Sequence, residues 1–323
     1  MRKFIWIVAA AALACSAAGY AQQDYPARPV RIVCVVQPGG AADFIARIVA
    51  QKLSERLSQS FVVENRTGQG PVMGADPVAK AAPDGYSLLL ASITSHGIGP
   101  HLYKKLPFDP IKDFAPIGLD GTMQMILVVN AQLPVKTVAD LIALSKSRPK
   151  GLSFASGGVG GLPHLIGELF KTVSGANLQH VPYRGSGPAS ADLAAGQVQM
   201  AFDAIIPQMP HIQSGRTRVL AVASPTRLPI APDAPTMTEL GYPKVAGAIW
   251  YGLVAPAGTP KSIIDRLSKE ANRILATQDV KERMAKVGIE AAVTDTPERF
   301  TAFIREEINR WGPVVRAAGI VPQ

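Results

Sequence analysis

The chain has 323 residues, 47% of them hydrophobic and 18% charged, with a formal net charge of +9. That length suits one large domain or two ordinary ones, and the apolar content can fill a core without covalent staples. The basic residues are scattered, with no run beyond Tyr103-Lys104-Lys105 and no interleaved aromatic stripe, so the charge reads as surface chemistry that favours anions and not as a nucleic-acid footprint.

The first element is an export signal. Arg2 and Lys3 precede a short apolar stretch, and Gly19 and Ala21 stand at the −3 and −1 positions of a signal-peptidase site, so residues 1–21 are expected to be removed after Ala21. Cys15 raises the alternative of a lipid anchor, although Ala12 stands where that signal has Leu. Beyond this stretch no apolar run approaches the roughly 20 residues of a membrane span. Cys34 is then the only cysteine left, which excludes an internal disulfide; its place inside an apolar segment marks it as a small core residue.

Short apolar segments alternate with helical patterns from here on. Residues 30–36 read as a buried strand, and Ile45, Val49, Leu53 and Leu57 then recur at four-residue spacing, one face of a helix. Further strands are predicted at 61–65, 86–92, 125–130, 152–156, 179–183, 198–205, 218–224 and 248–256, and three closing helices at 260–277, 279–287 and 296–318. The alternation argues for an α/β fold with mostly parallel sheets flanked by helices. The strand count exceeds one small sheet, and the C-terminal quarter has helices but few strands. The chain is therefore expected to cross to a second domain and return, the crossings falling at 121–130 and in the Pro-rich stretch 224–243. The resulting division is 22–124 with 245–323 as domain 1, and 125–244 as domain 2.

Two turns share one design. The strand at 30–36 stops at Pro38-Gly39-Gly40 and a helix begins at once; the strand at 152–156 runs into Gly157-Gly158-Val159-Gly160-Gly161, and a helix follows with Pro163 in its first turn. Helix N-termini present unpaired N–H groups and partial positive charge, and glycines let a ligand approach the backbone. Such a unit can hold an anion with no charged side chain. Bulky substitution at Gly40 or Gly160 is expected to block binding while leaving the protein folded. Asp43, in the first turn of its helix, suits the helix dipole, and Asp203 interrupts an apolar strand near its carboxyl end, where α/β proteins bind ligands.

Other chemistry finds little support. Gly68, Gly70 and Gly74 do not have the dinucleotide-binding spacing, the five histidines form neither HExxH nor a Cys/His cluster, and there is no G-x-S-x-G elbow. Ser186 in Tyr183-Arg184-Gly185-Ser186 has no neighbouring base in sequence and reads as a loop serine. No cofactor, metal site or catalytic residue is expected.

With these features in place, the chain from Tyr25 onward resembles the Bug family of periplasmic solute receptors, the binding components of tripartite tricarboxylate transporters. The resemblance is carried by YPARPVRIVCVVQPGGAADFIARIVAQKLSERL, VVENRTGQG, APDGYSLLL, LPFDPIKDFAPI, HVPYRGSGPASADLAAGQVQMAFD, LAVASPTRLPIAPDAPTMTELGYP, WYGLVAPAGTPKSIIDRLSKE and RWGPVVRAAGI. It implies a two-domain, type II Venus-flytrap fold with crossed hinge strands, and a small organic carboxylate bound in the cleft chiefly by backbone. Carried onto this chain, the binding loops are Gln37, Pro38, Gly39, Gly40, Ala41, Ala42 and Asp43, and Ser156, Gly157, Gly158, Val159, Gly160 and Gly161. Ser92, Thr94, Ser95, His96 and Asp203 are further pocket residues. Gln37, Ala42, Gly99, Gly161 and Ala204 depart from the family's usual residues, mostly by removing a side-chain hydrogen bond. Monocarboxylates or dicarboxylates are therefore expected to outrank tricarboxylates. The implied partner is a membrane permease. A sensor protein in its place, or an exported hydrolase, are the alternatives, and the receptor is expected to be a monomer in the periplasm that does not bind nucleic acid.

Overall fold

The structure is a computed structural model that describes residues 25–66, 70–293 and 296–322. The export segment, Cys15 and Gly68 lie outside the described residues.

Strand β1 (Val30–Cys34) is apolar throughout its buried positions and leads through residues 35–40 into α1 (Ala41–Leu57). Helix α1 buries Ala42, Ile45, Ala46, Ile48, Val49, Ala50 and Leu53 against the sheet, the four-residue spacing seen in the sequence. It ends at Ser58 in the left-handed conformation and returns as β2 (Phe61–Asn65). Strand β3 (Ser87–Ser92) completes a parallel trio, β2-β1-β3. The second trio repeats this design. Strand β5 (Leu152–Ser156) leads into α3 (Leu162–Ser174), then β6 (Leu178–Pro182), α4 (Ser186–Ala194) and β7 (Met200–Ala204), with β6-β5-β7 parallel; α2 (Val138–Ser147) precedes β5.

The two trios are joined by β4 (Phe114–Asn130), a 17-residue strand that belongs to both. Residues 114–124 pair with β9 (Ala248–Pro256) and residues 125–129 with β7, both antiparallel. Strand β8 (Thr217–Val222) continues the line of β9 along the second half of β4, β10 (Glu290–Ala291) pairs with the first half, and α5 (Ile205–Gln213) lies between β7 and β8 in the chain. The chain thus leaves the first section of the sheet within β4 and returns through residues 223–247 into β9. The expectation of mostly parallel sheets holds for the two trios only. The strand that carries the chain across lies against strands that run the opposite way, and every pairing of β4, β8, β9 and β10 is antiparallel.

The closing helices are α6 (Lys261–Leu275), α7 (Gln278–Ala285) and α8 (Pro297–Ala317), each within a few residues of the periodicity-based spans. Helices α1 and α6 share one apolar cluster of the first section, while α8 packs on the opposite face. There the buried carboxylate of Glu307 accepts hydrogen bonds from the indole N–H groups of both Trp250 and Trp311, each at 3.1 Å. The neighbouring Arg310 donates to the carbonyl of Ala246, which fixes the returning segment where it meets β9. Cys34 is a buried free thiol, pushed up to about 11 by burial, as a core position requires.

Candidate functional site

The two glycine turns stand at the carboxyl ends of β1 and β5, where open α/β sheets bind ligands. In the first, Gln37, Pro38, Gly39 and Gly40 are exposed. Gly39 has φ +91°, a left-handed conformation that favours glycine, and side chains added at Gly39 or Gly40 would meet no atom within 4 Å. The backbone here is open to solvent, and Gly40 caps α1 with no side-chain hydrogen bond of its own. The first N–H groups of α1 have no acceptor within the helix.

Asp43 fixes this turn from behind. It is 4% exposed, and its carboxylate accepts from Gly39 N–H (3.0 Å), Arg47 Nε (2.9 Å) and Asn65 Nδ2 (2.9 Å). Burial raises its pKa, but the hydrogen bonds from Arg47, Gly39 and Asn65 outweigh burial and hold the carboxyl below its ordinary range. Arg47 neutralises it, so the anion-attracting turn does not sit on an unbalanced negative charge. A pocket of about 250 Å³ adjoins Gly39, lined by Asp43, Phe44, Arg47 and Arg283.

The second turn is built without charge. Ser156 is buried, and its Oγ accepts from Gly158 N–H (3.2 Å) and lies 2.6 Å from His180 Nε2. Gly160 N–H donates to His164 Nδ1 (3.1 Å). The two imidazoles stack with ring centres 3.7 Å apart and planes 15° from parallel, and Phe154 lies against His180. Burial pushes both histidines down to about 4, with Lys171 adding to the effect and His164 also acting on His180. Gly161 caps α3, again without a side-chain bond. Gly160 differs from Gly40. Its φ is +78°, and a side chain there would stand 2.9 Å from Leu102 of the first section. A bulky residue at Gly160, unlike one at Gly40, is therefore opposed by both the backbone angle and Leu102, so the expectation that it leaves the protein folded carries a cost in stability.

A third turn, which the sequence reading left as an ordinary loop, lies alongside. Gly185 N–H donates to Gly157 O (3.0 Å), so the segment after β6 runs beside the second turn. Ser186 opens α4, and its hydroxyl donates to Asp203 (3.2 Å). The signal was a third glycine-bearing stretch after a strand, Gly185-Ser186-Gly187, at the start of a helical pattern. Asp203 is 5% exposed and also accepts from Gln208 Nε2, Ser190 Oγ and Ala204 N–H. Burial raises its pKa against the pull of these donors. It ties the ends of β7, α4 and α5 together.

A family model described as TctC, tripartite tricarboxylate transporter family receptor, matches residues 45–320. The chain belongs to that family. The receptor is similar to the protein BugT of Bordetella pertussis, with 38% identity over 304 residues that cover 94% of this chain and 93% of the relative. Two solved structures share its fold. One is described as R. palustris Rpa4515 with adipate, 35% identical, TM-score 0.80, covering 93% of the receptor and all of that chain. The other is MatC of Rhodopseudomonas palustris with bound malate, 32% identical, TM-score 0.76, covering 90% and 100%. The fold is that of the periplasmic binding proteins of this type, α/β with a mixed, curled sheet, and the family is one of solute receptors.

The remaining sequence-derived residues of the receptor fall into two groups. Ala41 is half-buried and Ala42 buried at the start of α1, and Val159 is 63% exposed at the tip of the second turn. Ser92 and Thr94 are half-buried at the end of β3. Ser95 and His96 are not at the surface. They lie in a six-residue π-helix, Ile93–Ile98, where Ser95 Oγ accepts from Ser92 N–H and contacts His96 Nδ1 (3.0 Å). The His96 ring packs against Phe108 and Phe114, and full burial lowers its pKa to about 3. In this conformation His96 supports the turn from inside the core and does not face solvent. Among the described residues no group of three or more His, Cys, Asp and Glu could hold a metal ion. The Ser156–His180 contact resembles a nucleophile and its base, yet Ser156 is 2% exposed and its oxygen is closed into its own turn. A larger cavity of about 590 Å³ lies away from the glycine turns, at the edge of the crossing strand, between residues 226–230 and 288–293.

Proposed function

We propose that the receptor captures a small organic carboxylate between Gln37–Asp43 and Ser156–Gly161 and delivers it to the permease of a tripartite transporter. The observation that carries this reading is the pair of glycine turns, the first exposed and the second half-buried around an exposed Val159, each at the N-terminus of a helix and each held from behind by its own side-chain network. Donors placed in this way favour an anion and ask little of the rest of the molecule. Ser92, Thr94 and Asp203 border the same ends of the strands. The ligands named for the two solved relatives, adipate and malate, are carboxylates, which supports the class.

The division into 22–124 with 245–323 and 125–244 agrees with the change of partners along β4 at Gln124 and Met125. Closure of these two domains about β4 and the returning segment would bring the turns onto one ligand. Export through cleavage after Ala21, a periplasmic location and a monomeric receptor complete the reading.

The test is a thermal-shift panel of mono-, di- and tricarboxylates, each beside its amide or methyl ester, with mass spectrometry of small molecules released from the purified protein. A ligand at 100 times its Kd adds about 2.7 kcal/mol of stability. Acids should stabilise where their esters do not, and monocarboxylates or dicarboxylates should outrank citrate. Esters matching their acids would overturn the anion cradle; citrate giving the largest shift would overturn the ranking.

A further inference from the structure

The second turn is held by two histidines for which neither the anion chemistry nor the fold supplies a reason. We propose that His164 and His180 are positioning residues for the carboxylate-binding turn: His164 holds Gly160 as an uncharged hydrogen-bond acceptor, and His180, stacked on it, holds Ser156 where the turn begins. This rests on the reading of Ser156–Gly161 as a binding turn.

The geometry leaves His164 one role. Its Nδ1 receives the N–H of Gly160, so the lone pair must be free and the ring proton must be on Nε2, which lies 4.0 Å from Glu168 Oε1. A second proton can enter only at Nδ1. There it would face the Gly160 N–H donor to donor, and the bond would be lost. His180 fills the other half. Its Nε2 lies 2.6 Å from Ser156 Oγ, which also accepts the N–H of Gly158. Gly158 and Gly160 are thus both tied through the stacked pair.

The surroundings keep the pair neutral. On α3, Glu168 and Lys171 flank His164 and pair with each other at 3.4 Å, so neither presents a lone charge to the ring. Strand β5 brings only Phe154 and Ser156 to the stack, β6 brings His180 itself, and the turn Gly157–Gly161 carries no ionisable side chain. On α8, which also packs on α3, Glu307 is bound by two indoles. Burial lowers both histidines to about 4, well under the ordinary 6.5. The turn is therefore complete at neutral pH and comes apart in acid, as His164 takes up its second proton.

Two substitutions separate this role from mere packing. His164→Asn places an amide oxygen near the position of Nδ1, an acceptor that does not titrate; His164→Leu keeps apolar bulk and removes the acceptor. The Gly160 amide resonance is followed by NMR between pH 7 and 3.5, and binding of adipate, malate and benzoate by thermal shift at the same pH values. In the unmodified protein the Gly160 amide should shift with a midpoint near 4. In His164→Asn it should hold its neutral-pH position throughout, and in His164→Leu it should be displaced already at pH 7. Carboxylate affinity at pH 7 should fall at least tenfold in His164→Leu and stay within about threefold in His164→Asn. Because the acids themselves protonate near pH 4, the comparison at low pH is between the unmodified protein and His164→Asn, which should bind more tightly there. A Gly160 amide indifferent to both pH and His164→Leu overturns the proposal. An amide that behaves as described, in a protein that none of the acids stabilises, supports the positioning role and counts against the carboxylate reading instead.

Discussion

The two glycine turns have the same outline and opposite supports. The first is clamped by an ionised carboxylate, Asp43, which gathers Gly39 N–H, Arg47 and Asn65. The second is clamped by a stacked pair of neutral imidazoles and a serine. Both solutions hold a donor-rich backbone still without placing net negative charge behind it. Their failure modes differ, because one depends on a charge that acid removes and the other on a lone pair that acid occupies.

Glycine substitutions separate the turns most strongly. Gly160→Leu forces a side chain into a left-handed backbone position and against Leu102, a strain of about 1–3 kcal/mol before any repacking. It should lower the melting temperature by several degrees. Gly40→Leu, at φ −84° with no atom within 4 Å, should stay within about 1 kcal/mol of the parent and lose ligand binding. Calorimetry on the two variants checks this, and equal destabilisation would erase the difference between the turns.

Acid comes next. His164 has a folded pKa of about 4, below the 6.5 of an unfolded chain, so the folded state resists protonation. Its contribution is full above 6.5 and is lost as pH falls from 6.5 to 4, by up to about 3 kcal/mol. Asp43, held below the ordinary carboxylate range, keeps its contribution until the pH falls below about 4. Hydrogen exchange at pH 6.5 and 4.5 should therefore show the second turn loosening first. His96, lowered to about 3, loses stability over the same interval and beyond it.

Asp43→Asn keeps the shape of the first clamp and removes its charge. Loss of charge-assisted bonds to Arg47 and Gly39 should cost about 2 kcal/mol in urea unfolding and leave the Gly160 amide unmoved. Salt has the smallest effect. Arg47 is 54% exposed, so raising sodium chloride from about 0.05 to 0.5 M should weaken the first clamp by less than about 0.5 kcal/mol, with no effect on the second.

The two turns were legible in the sequence because glycine at the end of an apolar run, followed by helical spacing, is a local signal. Their supports were not. Gly160, His164 and His180 meet only when α3 packs on β5 and β6, and nothing in the spacing of 16 residues between the histidines announces a stack. Asp43 was placed correctly in the first turn of α1, but its bond back to Gly39 depends on the left-handed backbone there. The helices at the C-terminus were read within a few residues, since their apolar faces repeat. The first half of β4 was missed, the strand having been read only at 125–130 within a crossing at 121–130, because Pro116, Gly118 and Gly121 break the apolar pattern; the structure absorbs them as shifts in register against β9. The π-helix at Ile93–Ile98 was not read as a helix, because its polar residues Ser95 and His96 carry no apolar face and are buried together inside the core.

Strand β9 lies between β3 and β4, and its residues, 248–256 of 323, come in the final quarter of the chain in the order of synthesis. The first ninety residues of the sheet's first section therefore have no complete partner set until position 256 has been made. A growing chain can close the β1–β2–β3 trio, but it cannot seat β4 beside it. Folding of this section waits for the end of translation, while the second section, whose strands other than β4 fall between 152 and 222, can form earlier.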